Sequence, residues 1–152
     1  MAKARQPIPK NIRLKGAVVC ESVLRLFRLI TDHYGGDLES FVVYLAVVSA
    51  AGTSRLLRSP ELRERYGTET PLPTELMTPI SRRAISESVG LPRETVRRKI
   101  AALIEQGHLE EANGRVRAVA PVLEHGPNLE FVIAAARELQ RAAAELQRCE
   151  DA

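Results

Sequence analysis

The stretch that most constrains the fold runs from Ile80 to Arg117: ISRRAISESVGLPRETVRRKIAALIEQGHLEEANGRVR. Ser81, preceded by Pro79, offers a side-chain acceptor suited to open a helix. Ala84, Ile85 and Val89 recur at helical spacing, and Gly90 supplies the left-handed conformation that ends a helix. Pro92 suits the opening turn of a second helix, where its missing N–H costs nothing. In that helix Val96, Ile100, Leu103 and Ile104 make an inward stripe, and Gly107 is placed to end it. Asn113-Gly114 between two strand-like runs, His108–Ala112 and Arg115–Val119, is the strongest short-range hairpin signal. Helix, turn, helix and hairpin in this order predict a winged helix-turn-helix. The expected fold is mainly α with a small β-hairpin wing and flanking dimerisation helices.

The face opposite the inward stripe carries the functional expectation. At about 100° per residue, Glu94, Arg97, Arg98 and Ala101 point away from Val96, Ile100 and Leu103. Arg93 stands beside them at the helix start. The second helix of such a unit enters the major groove of double-stranded DNA, with its early residues at the base edges. Arg93, Arg97 and Arg98 carry forked donors that match guanine, and Glu94 can accept from the cytosine amino group. Ala101 is small enough for close approach. Ser81, Arg82, Arg83 and Thr95, with Arg115 and Arg117 on the hairpin, are the candidates for phosphate or wing contacts. The alternative is a winged-helix module whose basic face docks on an acidic protein and reads no DNA.

The run Arg93-Glu94-Thr95-Val96-Arg97-Arg98, preceded by Arg83, Ile85 and Val89-Gly90, resembles the helix-turn-helix of the cyclic-AMP receptor protein family. The resemblance implies base reading by Arg93, Glu94 and Arg98, and it covers roughly residues 80 to 118. Nothing upstream reads as that family's β-rich nucleotide-binding domain. Two helices, then this module, then a long terminal helix is an order similar to MarR-type repressors.

The charge distribution fits a polyanionic partner better than the net charge of +3 suggests. Residues 1–16 hold five Lys/Arg and no acid, and residues 81–118 hold eight against five acids. Residues 124–152 hold three against six, so positive charge gathers on the reading module and the leading segment. Cys20 and Cys149 are the only cysteines, which gives neither a disulfide framework nor a metal spacing and points to a reducing cytoplasm. Cys20, in an apolar helix, reads as a small core residue. His33, His108 and His125 are scattered, so no metal or other cofactor is expected. No phosphate loop, nucleophile elbow or paired-cysteine motif is present, and no enzyme activity is expected.

Along the chain, residues 1–16 read as a basic flexible arm. Residues 17–79 read as N-terminal helices and a connector. Residues 80–120 form the DNA-binding module, and residues 121–152 a C-terminal dimerisation helix. The first helix spans Ala17 to Tyr34, with a wide apolar face of Val19, Val23, Leu26, Phe27 and Ile30. Gly35-Gly36 breaks it, and Asp37 can cap the next helix, Leu38 to Leu57. Residues 40–54 carry no charge but are too few for a membrane span. A short helix is expected at Glu61–Tyr66. The last helix, Leu129 to Arg148, carries a narrow seam of Leu129, Val132, Ala136, Leu139, Ala143 and Leu146. Val19, Val23 and Leu26 with Leu129, Val132, Leu139 and Leu146 are the candidate dimerisation residues of a homodimer on an inverted repeat. A small-molecule effector could enter a pocket lined by Phe27, Tyr34, Phe41 and Tyr44 with His33 at its mouth.

Overall fold

A computed structural model of the protein describes residues 8, 10–50, 56, 58–67, 73, 76–119 and 126–151. The protein is mainly helical, with one small antiparallel hairpin. The elements are α1 (Ile12–Tyr34), α2 (Leu38–Val48), α3 (Pro60–Tyr66), α4 (Arg82–Val89), α5 (Arg93–Glu105), β1 (Leu109–Ala112), β2 (Arg115–Ala118) and α6 (Gly126–Asp151). No helix among the described residues is long and apolar enough to cross a membrane.

One apolar core organises the middle of the chain. Val43, Tyr44 and Val47 of α2 meet Ile85 of α4, and Val96, Ile100 and Leu103 of α5. Leu109, Val116 and Ala118 of the hairpin close it from below. Each of the valine, isoleucine and leucine side chains among them, withdrawn from water, contributes roughly 1.5–3 kcal/mol of hydrophobic driving force. The uncharged run that begins at Ser40 is thus explained: it supplies the helix that plugs the core between α4, α5 and β2.

Local signals set the boundaries of the elements around this core. The Ser81 hydroxyl accepts from the Ala84 amide at 3.1 Å, and Gly90 takes φ +70° as its N–H returns to Ser86. The Ser86 hydroxyl then donates to the Leu91 carbonyl at 2.7 Å, tying the turn shut. Pro92 precedes α5 and its carbonyl accepts the first helical bond, from Val96. Asn113 and Gly114 both have positive φ, 52° and 72°, the pairing that a two-residue turn of right-handed twist requires. In the hairpin Leu109 faces Ala118 and Glu110 faces Arg117. Ile80 adds a single-residue bridge to Val116, exchanging backbone bonds of 2.8 and 2.9 Å.

Outside the core the structure corrects several boundaries. Helix α1 begins at Ile12, five residues before the expected Ala17, so the end of the supposed flexible arm is helical. Tertiary contacts explain this: the Asn11 amide donates to the Cys149 carbonyl at 2.7 Å, and Lys15 pairs with Glu150 at 3.0 Å. Residues 1–7 and 9 of the arm lie outside the described residues. Helix α2 is regular to Val48, with Ser49 and Ala50 in a wider π-type turn, and Leu56 and Arg58 are again helical. Residues 51–55 and 57 of that expected helix lie outside the described residues, as do residues 120–125 of the second connector. The short helix starts one residue early, at Pro60, behind a Ser59 cap. The last helix runs from Gly126 to Asp151, beyond both expected ends.

Helices α1 and α6 pack antiparallel, since Lys15 meets Glu150, Arg25 lies 3.8 Å from Glu138, and His33 meets Asn128 at 2.7 Å. Ser22 is buried between them, with Leu26, Leu29, Ala135, Ala142 and Leu146 half-buried on the same seam. Cys20 corrects the expectation of a core residue: it is exposed, because it lies almost opposite Ser22 on the helix. Cys149 is half-buried.

The core predicts a graded response to truncation. Leu103 is fully buried, so Leu103→Ala is expected to cost about 2–5 kcal/mol. Arg93→Ala, on the exposed side of the same helix, is expected to stay within about 0.5 kcal/mol of wild type. Urea denaturation monitored by circular dichroism separates the two; equal costs would show that α5 is not anchored by this stripe.

Candidate functional site

Helix α5 divides cleanly into two faces. Val96, Ile100 and Leu103 are buried, whereas Arg93, Glu94, Arg97, Arg98 and Ala101 are exposed. The burial of one stripe at helical spacing forces the others outward, so the structure brings the four expected base-reading side chains onto one open face. Thr95 is half-buried at its edge. On the flanks stand Arg82 and Arg83 at the start of α4, and Arg115 and Arg117 on β2. Arg82, Arg97, Ala101, Ile104 and Glu111 line one groove of about 460 Å³ beside α5. Ser81 is spent on capping α4, so its hydroxyl holds a backbone amide at the edge of this surface.

Carboxylates hold most of these arginines. Arg97 grips Glu94 with two hydrogen bonds of 2.9 and 2.6 Å, and this fork holds the Glu94 carboxyl below its usual range. Arg83 donates to Glu87 at 2.7 Å, Arg117 donates to Glu110 at 2.6 Å across the hairpin, and Arg82 pairs with Glu111. Glu110 and Glu111 thus each hold an arginine of this surface. Arg98 lies 3.9 Å from Glu39 and keeps 70% of its side chain exposed. Arg93 and Arg115 have no ion pair among the described residues. Exposed pairs of this kind are weakly held in water, so a phosphate can displace the carboxylate.

A pairing that sequence patterning missed sits behind this face. Lys99 donates to Asp37 at 2.6 Å and lies 3.3 Å from Glu39, with its side chain only 16% exposed. The hydrogen bond that Lys99 donates to Asp37, with the second carboxylate, raises the Lys99 pKa against the opposing effect of burial. Burial alone would raise Asp37, but the bonds from Lys99 and from Ser40 outweigh it and hold the carboxyl below its usual range. Asp37 was legible only as a helix cap, because its partner stands 62 positions away.

The expected aromatic pocket is not formed. Tyr34, Phe41 and Phe131 pack edge to face with centroids 5.2 to 6.5 Å apart, and His33 stacks on Phe131 at 4.9 Å. Tyr44 is buried in the core and Phe27 is exposed on the far flank of α1, so the rings themselves fill the space. His33 instead borders a polar cleft of about 350 Å³ with Tyr34, Asp37, Ser40, Gln106, His108 and Asn128.

The candidate dimerisation residues divide into two groups. Val19, Val23, Leu129, Val132 and Leu139 are exposed, while Leu26 and Leu146 turn inward to the α1–α6 contact. Arg25, Arg28 and Asp32 of α1 share one groove with Arg137, Glu138 and Arg141 of α6. The opposite flanks of the antiparallel pair therefore point together to the other side, and those flanks carry Ile12, Val19, Val23 and Phe27 with Val132 and Leu139. The result is one apolar slab built from two helices. Compared with known proteins, the chain matches no family model, no curated protein and no solved structure.

The cleft yields a pH prediction. Burial, and then the neighbouring His33, lower the His108 pKa below its ordinary value. A His whose folded pKa is depressed contributes stability that is fully present above the unfolded value of about 6.5 and is lost as pH falls through the folded one. Stability should therefore decline below about pH 6.5, and His108→Gln should flatten that decline. Denaturation midpoints followed from about pH 8 to pH 5 test this; an unchanged slope in the variant would be incompatible with it.

Proposed function

We propose that the protein is a winged helix-turn-helix regulator that binds double-stranded DNA sequence-specifically as a homodimer. In this reading α4 and α5 are the helix-turn-helix, β1–β2 is the wing, and α5 lies in the major groove. The observation that carries it is the open face of α5, where Arg93, Glu94, Arg97, Arg98 and Ala101 stand together above a fully buried stripe. Arg93 and Arg98, the least engaged of the α5 arginines, offer their forks to guanine, and Glu94, pre-set by Arg97, accepts from cytosine. Arg82, Arg83, Arg115 and Arg117 meet phosphates on either side. The family resemblance of the Arg93–Arg98 run and the MarR-like order of elements both agree with this. So does the absence from the sequence of any catalytic motif.

A second copy of the chain is the partner assigned to the apolar slab of α1 and α6. Val23 and Leu139 are each 58% exposed, an unusual position for aliphatic residues aligned on one flank of two packed helices. Joining two slabs about a two-fold axis makes a four-helix interface and repeats the reading helix, as recognition of an inverted repeat demands, with half-sites about 34 Å apart. The polar cleft at His33 and His108 is the place assigned to a small-molecule effector. The competing reading, a module whose basic face docks on an acidic protein, uses the same arginines, and the ion pairs at Arg82, Arg83, Arg97 and Arg117 must open for either partner.

Selection of bound sequences from a random DNA pool separates these readings: enrichment of an inverted repeat is expected, and no enrichment would leave the docking module standing. With the selected site, Arg98→Ala should cost about 1–3 kcal/mol and relax preference at one base pair. Arg115→Ala should weaken selected and scrambled DNA alike. For assembly, Val23→Asp with Leu139→Asp should yield a monomer in sedimentation velocity that keeps only weak, salt-sensitive DNA binding. A double variant that still sediments as a dimer would place the interface elsewhere.

A further inference from the structure

We infer that Asp37 is a positioning residue that fixes the angle of α5 against the α1–α6 pair, and through it the half-site spacing that the dimer accepts; this rests on the dimeric DNA-binding reading above. The inference begins at the corner that ends α1. Gly35 and Gly36 both take positive φ, 59° and 85°, which only glycine adopts without strain in succession. The Gly36 amide donates to the Thr31 carbonyl at 2.9 Å, and the Asp37 amide donates to the Tyr34 carbonyl at 3.0 Å. The Asp37 backbone is thereby fastened to the last turn of α1.

Its carboxylate then reaches two other helices. One oxygen accepts from the Ser40 amide at 3.1 Å and the other from the Ser40 hydroxyl at 2.7 Å, which caps α2. The first oxygen also accepts from Lys99 Nζ at 2.6 Å, on α5 next to the exposed Arg98. Among the described residues no side chain of α1 itself is hydrogen-bonded or ion-paired to α5. The polar tie from the slab-bearing helix to the reading helix therefore runs through Asp37, with Glu39 as a second anchor 3.3 Å from the same ammonium.

The apolar core fixes which face of α5 is buried, but hydrophobic contact is non-directional and sets the fine tilt of the helix less sharply than a directed bond does. A charge-assisted hydrogen bond onto a mostly sheltered lysine has a direction and a fixed length. When the slab is joined to its copy, the distance between the two reading helices depends on the angle each makes with its own α1. Loss of the tie should leave each half-site readable and blur the distance between them.

The test uses the full-length protein and its selected inverted repeat, with half-sites moved closer or apart by one or two base pairs. Affinity is measured for each spacing and for a single half-site by fluorescence anisotropy. The wild type is expected to prefer one spacing. Asp37→Asn, and separately Lys99→Gln, should reduce that preference by about tenfold, the equivalent of roughly 1.4 kcal/mol, with half-site affinity nearly unchanged. Lys99→Arg, which keeps the charge pair, should retain the preference. Variants that weaken every spacing equally, or that keep the wild-type preference, would overturn the positioning role while leaving DNA reading intact. Failure of the wild type to bind any selected DNA would remove the reading itself and the coupling with it.

Discussion

Everything in the middle of the chain depends on the contact between α2 and the inward stripe of α5. Val43 and Val47 are fully buried against an α5 whose Val96, Ile100 and Leu103 are also closed to solvent. Close packing of β-branched and γ-branched side chains leaves α5 no freedom to roll by a whole residue without exposing an aliphatic group. Because the inward stripe is held, Glu94, Arg97, Arg98 and Ala101 are held outward. The same core accepts Val116 from the hairpin and Ile85 from α4, so hairpin and helices share one anchor.

The electrostatics of the open face are more restrained than the count of arginines suggests. Four of its arginines grip a nearby carboxylate: Glu94, Glu87, Glu111 and Glu110 each neutralise one. Such exposed pairs cost little to open in water, but each must be opened before the guanidinium can take a phosphate. A surface built this way presents less free positive charge than the same cations would if unpaired.

The α1–α6 pair is built on a different principle. Its inner seam mixes small or polar groups, Ser22, Ala135 and Ala142, with the half-buried Leu26, Leu29 and Leu146. The larger aliphatic side chains, Val19, Val23, Val132 and Leu139, lie outside that seam. The pair therefore leaves one aliphatic flank open to water while its seam is only half-closed around Leu26, Leu29 and Leu146.

Local chemistry determined much of this protein from sequence alone. Ser81, Gly90 and Gly107, and the Asn113-Gly114 turn, set element ends through backbone geometry that needs no distant partner. The period of Val96, Ile100 and Leu103 determined which side of α5 would be open, because a helix turns by a known angle per residue. Tertiary structure decided the rest, wherever two sides of one amphipathic helix competed for burial. On α1 the sequence favoured the face of Val19, Val23, Leu26, Phe27 and Ile30 and a buried Cys20, whereas the antiparallel fit to α6 buried Ser22 and left Val19, Val23, Phe27 and Cys20 exposed. On α6 the even spacing of Leu139 and Leu146 concealed that one would be exposed and the other half-buried. Asp37 and Lys99 meet across 62 positions, and the aromatic side chains of Tyr34, Phe41 and Phe131 fill a space that looked open when only two of the three were adjacent in the chain. Those choices rest on shape complementarity between distant segments, which periodicity along one segment does not encode.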